Sequence, residues 1–263
     1  MSEKLPGDRD RTETRGSVVF VGAGPGAADY ITVRGARCLA QADVVLHDAL
    51  IDPTLRDWAP RAQWLHVGKR GYRDSTVQTE INALMVKHAL AGARVVRLKG
   101  GDPSVFGRLE EELQALHAHD IATEVVPGIT AALAAAAATQ RPLTRRGSGR
   151  SVSLATAVTE SGALSAGRHA DTEVFYMAGA RLSELSRRLQ AAGWPADAPV
   201  QVVSRALWPD QIASQHALGE LATAGVLHAG RPAVVIVGPG ATAVGGNSPR
   251  VERHQPRQPL SEP

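Results

Sequence analysis

Strand-like and helix-like segments alternate along the first half of the chain, and this alternation restricts its fold more than any other feature. Short aliphatic runs that are typical of buried strands occur at 18–21, 44–46, 64–67, 95–98 and 123–126. The segments between them carry helical patterns, several with one apolar face. Because each strand is followed by such a segment, the strands are expected to run parallel beneath covering helices. We predict an α/β fold with a mostly parallel sheet in this half.

The stretch VVRLKGGDPSVFGR (95–108) predicts a strand, a sharp turn and a helix that begins at Leu109. Gly100 and Gly101 allow positive φ and close approach of a ligand to the backbone, while Pro103 fixes the turn and Asp102 adds an acceptor. Small molecules bind at the carboxyl ends of parallel strands in α/β proteins. A tight turn without a ligand would have the same residues, so the stretch alone leaves both interpretations open.

The second half has a different pattern after an Ala-rich segment at 130–138 and the Gly-, Ser- and Arg-rich stretch 141–150. Strands are predicted near 152–155, 174–177, 199–203, 212–218 and 233–237, and the alternating 212–218 segment indicates an antiparallel element. We therefore predict an N-terminal α/β domain at 16–128 and a C-terminal α/β domain with a mixed sheet at 129–242. The polar, aperiodic segments 1–15 and 243–263 are predicted to be a disordered leader and tail.

Composition excludes several classes of protein. Aromatic residues make up only 4% of the chain, so the core must consist of Ala, Val and Leu. The single Cys38 permits no internal disulfide, and the histidines lack HxxxH or HExxH spacing, so we predict no metal site. A net charge of +3 is too small to indicate nucleic acid without a concentrated basic patch, and it is equally compatible with an anionic ligand. No apolar run is long enough for a membrane span and no signal peptide is visible, which predicts a cytoplasmic protein.

The first glycine loop, GAGPGA (22–27), matches the dinucleotide-binding fingerprint by its letters, and Asp48 ends the next predicted strand. In the dinucleotide fold, however, a helix begins inside the glycine motif, so that its free N–H groups bind a pyrophosphate. Here Pro25 removes one donor and the helix is not expected before about Thr32. A loop that admits a substrate fits these residues better than a dinucleotide site.

Asp48 and Lys69 each follow a predicted strand at the same edge of the sheet as Gly100. A carboxylate and an ammonium beside one site can shift each other's pKa into a range useful for proton transfer. Asp48 could equally cap a backbone turn, and Lys69 could be a solvated charge. The spacing leaves these alternatives open.

Four arginines occur close together, at Arg141, Arg145, Arg146 and Arg150. The guanidinium group is suited to binding phosphates or several carboxylates. Without interleaved aromatic residues, nucleic acid is the weaker interpretation, and a solvated junction loop is a further one.

Seven sequence blocks together resemble the tetrapyrrole methylase family, in that family's order, over residues 17–240. They are VGAGPG (21–26), ADVVLHDALI (42–51), VGKR (67–70), VVRLKGGDPSVFGR (95–108), VVPGITAALAA (125–135), RPLTRRG (141–147) and VFYMAG (174–179). Several unrelated blocks that match together are far more specific than any one of them. The resemblance implies two α/β domains, an S-adenosylmethionine site in the cleft between them, and a homodimer.

The resemblance also implies roles for individual residues. Asp48 and Lys69 match the family's proton acceptor and donor positions, and the arginines at 141, 145, 146 and 150 acquire a role in holding an acidic tetrapyrrole. The positions that match the methyl-donor site are Pro25, Gly100, Gly101, Asp102, Val105, Thr130, Ala131, Met177 and Ala206.

The implied reaction is transfer of two methyl groups from S-adenosylmethionine to uroporphyrinogen III, which gives precorrin-2 for sirohaem or cobalamin biosynthesis. The GKR and LKGGDPSVFGR blocks favour this member of the family. A methylase of a later corrin intermediate would share the fold and the donor site. A dinucleotide-dependent oxidoreductase and a binding module without catalytic activity are the remaining alternatives.

Overall fold

A computed structural model describes residues 15–68, 78–158, 164, 166–245 and 251–253. Its strands form two sheets, one from each half of the chain. In this part of the chain, no helix has both the length and the apolar character needed to cross a membrane.

The first sheet is entirely parallel, as the alternation predicts. Its strands are β1 (Ser17–Gly22), β2 (Val44–His47), β3 (Gln63–His66), β4 (Arg94–Lys99) and β5 (Ala122–Val126). They lie in the order β3-β2-β4-β1-β5, and every neighbouring pair is parallel. All five carboxyl ends therefore meet at one edge, which also carries the glycine-rich turns.

Helices cover both faces of this sheet. They are α1 (Val33–Ala40), α2 (Gln78–Leu90) and α3 (Leu109–His117). On one face Val45 and Val96 pack with Leu39 of α1. On the other, Val18, Phe20 and Val95 pack with Met85 of α2 and Leu116 of α3. The strands are buried on both sides, which explains why their sequences are continuous apolar runs.

The second sheet is mixed, also as predicted. The elements of this half are α4 (Ala131–Ala138), β6 (Val152–Thr156), β7 (Thr172–Tyr176), α5 (Leu182–Ala191), β8 (Pro199–Ser204), β9 (Ile212–Ala217), α6 (Gly225–His228), β10 (Ala233–Val237) and β11 (Val251–Arg253). The strand order is β11-β9-β8-β10-β7-β6. Only β6 and β7 pair in parallel in this sheet as described, and β9 is antiparallel to β8.

The strand β11 corrects the prediction of a disordered tail over 243–263 at three positions. Residues Val251–Arg253 pair antiparallel with β9. Without them, one side of β9 would be a sheet edge with unpaired backbone N–H and C=O groups. Backbone pairing of this kind needs no hydrophobic periodicity, so the polar sequence gave no sign of it.

Two layers of apolar side chains flank the second sheet. Leu185 and Leu189 of α5 pack on one face with Phe175 of β7. On the other face, Ala132 and Ala135 of α4 lie among valines and isoleucine of the central strands. The small side chains of α4 allow its backbone to approach the sheet closely, and this helix begins directly after the last turn of the first sheet.

Candidate active site

The ends of β1 and β4 are joined by backbone hydrogen bonds between their glycine turns. The amide of Gly101 donates to the carbonyl of Gly24 over 2.7 Å, and the amide of Gly24 donates back over 3.2 Å. Gly24 and Gly101 have φ of +78° and +71°. Both therefore occupy the left-handed region, which glycine enters without a steric cost. The first glycine loop and the central turn consequently form one structure.

Asp102 ties the central turn to the turn that follows β5. One carboxylate oxygen accepts from the amide of Ser104 at 2.7 Å, and the other accepts from the amide of Gly128 at 2.8 Å. The two turns also touch directly, because a Cβ on Gly128 would lie only 2.2 Å from the carbonyl oxygen of Gly101. Both carboxylate oxygens of Asp102 thus accept hydrogen bonds from backbone amides. The side chain therefore fixes the shape of the two turns.

Tyr176, the last residue of β7, connects the second sheet to these turns. Its hydroxyl lies 2.7 Å from the hydroxyl of Thr130 and accepts from the amide of Ala132 at 3.1 Å. The ring of Phe106, on the central turn, lies 5.0 Å from the Tyr176 ring. Burial raises the pKa of Tyr176, so the phenol stays protonated. Met177 follows immediately and is 56% exposed.

A second connection joins the first glycine loop to the turn after β8. The indole Nε1 of Trp208 donates to the carbonyl of Pro25 over 2.9 Å. A Cβ on Gly26 would lie 2.9 Å from the carbonyl oxygen of Ala206, so the two backbones are in close contact. Pro25 and Ala206, which are 181 positions apart, are neighbours through this contact.

Strained backbone is concentrated on these turns. Five of the seven described non-glycine residues with positive φ lie here: Phe106, Arg108, Met177, Arg205 and Leu207. Such conformations cost energy and persist only where the surroundings fix them, which is typical of ligand sites. A depression of about 520 Å³ lies beside Phe106 and Arg108 and continues along α3 to His117, and its lining does not include Gly24, Gly101 or Thr130.

Asp48 lies at the end of β2, on the same edge of the sheet. Its Oδ1 accepts from a terminal nitrogen of Arg97 at 2.6 Å, and its Oδ2 accepts from the amide of Gly100 at 3.4 Å. The side chain is 30% exposed, so a ligand can reach it. Asp48 therefore has a fixed orientation beside the central turn.

A buried ion cluster stands behind Asp48, and the sequence analysis missed it. Arg97 Nε donates to Glu112 Oε1 at 2.9 Å, and Lys99 Nζ donates to Glu112 Oε2 at 2.7 Å. Burial, with a smaller contribution from Arg97, lowers the pKa of Lys99. Burial also acts to lower the pKa of Arg97, but the charges of Asp48 and Glu112 outweigh it and raise that pKa overall. The available signal was the placing of two charges at alternate positions of an otherwise apolar strand.

The sequence matches the tetrapyrrole (corrin/porphyrin) methylases over residues 17–222, which is more than half of its length. The chain belongs to the tetrapyrrole methylase family. It is 43% identical to the uroporphyrinogen-III C-methyltransferase of Pseudomonas aeruginosa over 228 residues, which covers 85% of this chain and 93% of that protein.

A further relative and a solved structure give the same result. Over 231 residues the chain is 42% identical to a sirohaem synthase of Actinobacillus pleuropneumoniae, but it spans only 47% of that protein's length. The uroporphyrin-III C-methyltransferase of Thermus thermophilus, solved with S-adenosylhomocysteine, superposes with a TM-score of 0.75 at 36% identity. That likeness covers 86% of this chain and 98% of the Thermus chain.

The nine positions predicted to bind the methyl donor lie on the connected turns or directly beside them. The central turn carries Gly100, Gly101, Asp102 and Val105, and the other turns carry Pro25, Thr130, Ala131, Met177 and Ala206. The contacts described above link every one of these turns to another. Lys69, the predicted proton donor, lies outside the described residues.

Arg141 does not fit the expected contact with a tetrapyrrole. It is 2% exposed, and its guanidinium donates to the Gln215 side chain at 3.1 Å and to the carbonyl of Ala241 at 2.7 Å. The prediction that it binds substrate is therefore wrong. The guanidinium lies inside the protein, where it links the segment of Arg141 to β9 and to the backbone at Ala241.

The other three arginines lie on one loop: Arg145, Arg146 and Arg150. The Arg145 guanidinium donates to the carbonyl of Thr242, and the Arg150 amide donates to the carboxylate of Asp171 at 2.9 Å. Asp171 directly precedes β7, whereas Tyr176 ends it, so the loop lies at the opposite end of the second sheet from the connected turns. Within one chain, these arginines therefore lie away from the connected turns, and their binding of the methylase substrate stays a prediction.

The glycine loop also differs from a dinucleotide site. The helix α1 begins at Val33, with Thr32 as its N-cap, rather than inside the glycine motif. A pyrophosphate at Gly24 would therefore not meet the N–H groups of this helix. The geometry and the family assignment both oppose the oxidoreductase alternative.

Proposed function

We propose that the chain is an S-adenosylmethionine-dependent C-methyltransferase that converts uroporphyrinogen III to precorrin-2 by two methylations. The observation that carries the proposal is the meeting of the Gly24, Gly101, Thr130 and Ala206 turns at one edge, in a chain of this family. The similarity to relatives that bear this activity in their names supports it. The product would feed sirohaem or cobalamin biosynthesis.

The residues of the connected turns fit an S-adenosyl group. A Cβ on Gly101 would lie in ordinary contact with the backbone of Ile129 and Thr130, at 3.8–3.9 Å, so the central turn packs closely against the turn that follows β5. The turns offer backbone donors and acceptors together with the apolar side chains of Val105, Ala131 and Met177. S-adenosylmethionine supplies a methyl group whose bond to sulfur breaks as its bond to a substrate carbon forms. We assign its binding to Pro25, Gly100, Gly101, Asp102, Val105, Thr130, Ala131, Met177 and Ala206.

Asp48 is the proposed proton acceptor. Methylation of a ring carbon leaves the product with a proton to lose, and a carboxylate held at the strand end can take it. Arg97 and the Gly100 amide fix the orientation of Asp48. Lys69 is the proposed proton donor on the basis of its position in the VGKR block. Because well-oriented reactants gain effective molarities of about 10⁵ M or more, this positioning would account for much of the rate.

The direct test is an anaerobic incubation of the purified chain with uroporphyrinogen III and methyl-labelled S-adenosylmethionine. We expect two labelled methyl groups per tetrapyrrole and the absorbance of a precorrin-2-type product that increases with time. Absence of label in uroporphyrinogen III would contradict the proposal and favour a methylase of a later corrin intermediate. A fluorescence titration with NADH serves as the control for the oxidoreductase alternative, and we expect no binding.

We further propose two domains, at 16–128 and 129–242, with the site in the cleft between them, and a cytoplasmic homodimer. The two sheets have separate apolar clusters, which supports the division. Val125 and Leu154 are apolar side chains exposed on the edge strands β5 and β6, and Leu133 is exposed on α4, as expected of an interface. Light scattering should give the mass of a dimer, and Leu133→Asp should shift it towards a monomer. A wild-type monomer at micromolar concentration would contradict the homodimer.

A further inference from the structure

Two charged residues of β4 point into the interior rather than to solvent. Arg97 and Lys99 are two positions apart, so their side chains lie on the same face of the sheet, beneath α3. Each is 3% exposed, and Glu112 of α3 is fully buried. A buried charge is costly unless it is paired and hydrogen-bonded. The burial of three such groups together, beside the proposed site, requires an explanation other than a solvated face.

Asp48, which directly follows β2, is the one charged member of the cluster that is partly exposed. Arg97 uses Nε for Glu112 and a terminal nitrogen for Asp48, so one planar guanidinium connects the two carboxylates. Its remaining nitrogen faces the carbonyls of Leu46 and Leu98, each at 3.4 Å. Lys99 holds the second oxygen of Glu112. The sequence of contacts Lys99–Glu112–Arg97–Asp48 therefore runs from the interior to the site, with two positive and two negative formal charges.

Each contact along Lys99–Glu112–Arg97–Asp48 restricts the orientation of the next side chain. Glu112 is fixed by Lys99 and by the side-chain amide of Gln78, which donates to Oε1 at 3.2 Å. A fixed Glu112 holds the plane of the Arg97 guanidinium, because the fork of Arg97 can satisfy both carboxylates in only one orientation. The orientation of Arg97 then sets where Asp48 Oδ1 lies. Glu112 also shares the positive charge of Arg97, so that Asp48 is not its sole counter-ion.

We propose that Arg97 and Glu112 are positioning residues for methyl transfer, acting through Asp48 without touching either substrate. This inference rests on the proposed function and on Asp48 as its proton acceptor. Removing the charge of Glu112 leaves Asp48 as the only carboxylate that pairs with Arg97. Arg97 then holds the Asp48 oxygen more tightly, and Asp48 becomes a weaker proton acceptor. Replacing Arg97 with Lys removes the fork, because a single ammonium cannot span both carboxylates in the same geometry.

The test is a double-mutant cycle in kcat at saturating S-adenosylmethionine. We expect Asp48→Asn to lower kcat about 100-fold, in the range of general acid–base effects, and Arg97→Lys and Glu112→Gln about tenfold each. In the Asp48→Asn background, the same two substitutions should change kcat by less than about twofold, since residues that act as a unit are not additive. The Kd for S-adenosylhomocysteine should stay within about twofold of wild type throughout.

The control is Glu124→Gln, which removes the same charge from an exposed ion pair with Arg34 and should leave kcat unchanged. If a single variant fails to fold, Lys99→Met combined with Glu112→Gln removes one opposite-charge pair together, which buried sites tolerate better than one unpaired charge. We expect this double variant to fold and to lose kcat about tenfold, again only when Asp48 is present.

The outcomes separate the inference from the function on which it rests. A wild-type chain that does not methylate uroporphyrinogen III overturns the proposed function. A fully active Asp48→Asn variant overturns Asp48 as the acceptor and this inference with it. If Asp48→Asn is impaired but Arg97→Lys and Glu112→Gln lower kcat by the same factor in both backgrounds, or leave it unchanged, the inference alone is wrong.

Discussion

His228 is the most deeply buried histidine among the described residues, and two serines enclose it. One ring nitrogen lies against the hydroxyl of Ser204, and the other is 2.9 Å from the hydroxyl of Ser214. Burial lowers the pKa of His228 to about 4, and the nearby charges of His216 and Arg231 contribute in the same direction. The native protein therefore keeps this imidazole neutral at pH values where an unfolded chain would protonate it.

This burial predicts a loss of stability in mild acid. Between about pH 6.5 and pH 4 the unfolded state binds a proton at residue 228 that the native state does not, so the free energy of unfolding falls as the pH falls. At pH 5 the loss from His228 is about 2 kcal/mol, at 1.36 kcal/mol per pH unit. His228→Gln should reduce the difference between urea unfolding curves at pH 7.5 and pH 5. The exposed control His119→Gln should keep the wild-type difference, and an unchanged difference in His228→Gln would contradict the prediction.

At the scale of elements, β4 shows what the sequence could and could not predict. Val95, Val96 and Leu98 identify the strand, and the glycines after it identify the turn. The partner of Arg97 and Lys99 could not be identified, because Glu112 lies on a helix whose pattern is set by its leucines. Whether that glutamate faces the sheet or solvent depends on how α3 is rotated against β4. The spacing of apolar residues defines the buried face of a helix only approximately, so a residue at the border of that face can point to either side.

The contact between the turns at Gly101 and Gly128 gives a prediction for these elements. Gly128→Ala would place a methyl group in a severe clash with the Gly101 carbonyl oxygen, since the ideal Cβ lies only 2.2 Å from that atom. Overpacking of this kind costs about 1–3 kcal/mol. We expect lower stability in urea unfolding and, because the central turn must move, weaker binding of S-adenosylhomocysteine in calorimetry.

Gly225 provides the matched control. A Cβ there meets no atom within 4 Å, and its φ is −55°, which any residue adopts in a helix. Gly225→Ala should therefore leave ligand affinity unchanged and be neutral or stabilising by up to about 1 kcal/mol. Equal losses of affinity in both variants would show that the close contact at Gly128 is not the cause.

At the scale of the whole molecule, the sheets follow from the sequence, but the end at which each loop lies does not. The resemblance assigned the arginines of the segment 141–150 to the substrate, and this segment follows α4, whose N-terminus is at the connected turns. In the structure α4 runs away from these turns, and β7 separates Asp171 from Tyr176 by about 17 Å along the strand. The sequence blocks identified the turns correctly because each is a local signal. To predict where the arginines lie, one would have to know the direction in which α4 runs from these turns.

Trp208 makes a hydrogen bond between the two halves of the molecule. Its indole Nε1 reaches the carbonyl of Pro25, whereas its ring lies 4.3 Å from the guanidinium of Arg205 on its own turn. Trp208→Phe keeps an aromatic ring but removes the donor, so the loop of Pro25 loses its tie to the turn of Ala206. A hydrogen bond of this kind contributes about 1 kcal/mol, which corresponds to about a fivefold increase in the Kd for S-adenosylhomocysteine.

Calorimetry on Trp208→Phe and on the control Trp58→Phe measures this effect. Trp58 ends the 3-10 segment Pro53–Trp58 and is 40% exposed, so its replacement removes a similar ring without changing the contact between the halves. If the Pro25–Trp208 bond holds the two halves in the geometry that binds the methyl donor, only Trp208→Phe weakens binding, and its unfolding midpoint in urea falls only slightly. Equal affinities of the two variants would mean that other contacts between the halves, such as those of Gly26 with Ala206 and of Phe106 with Tyr176, keep their arrangement.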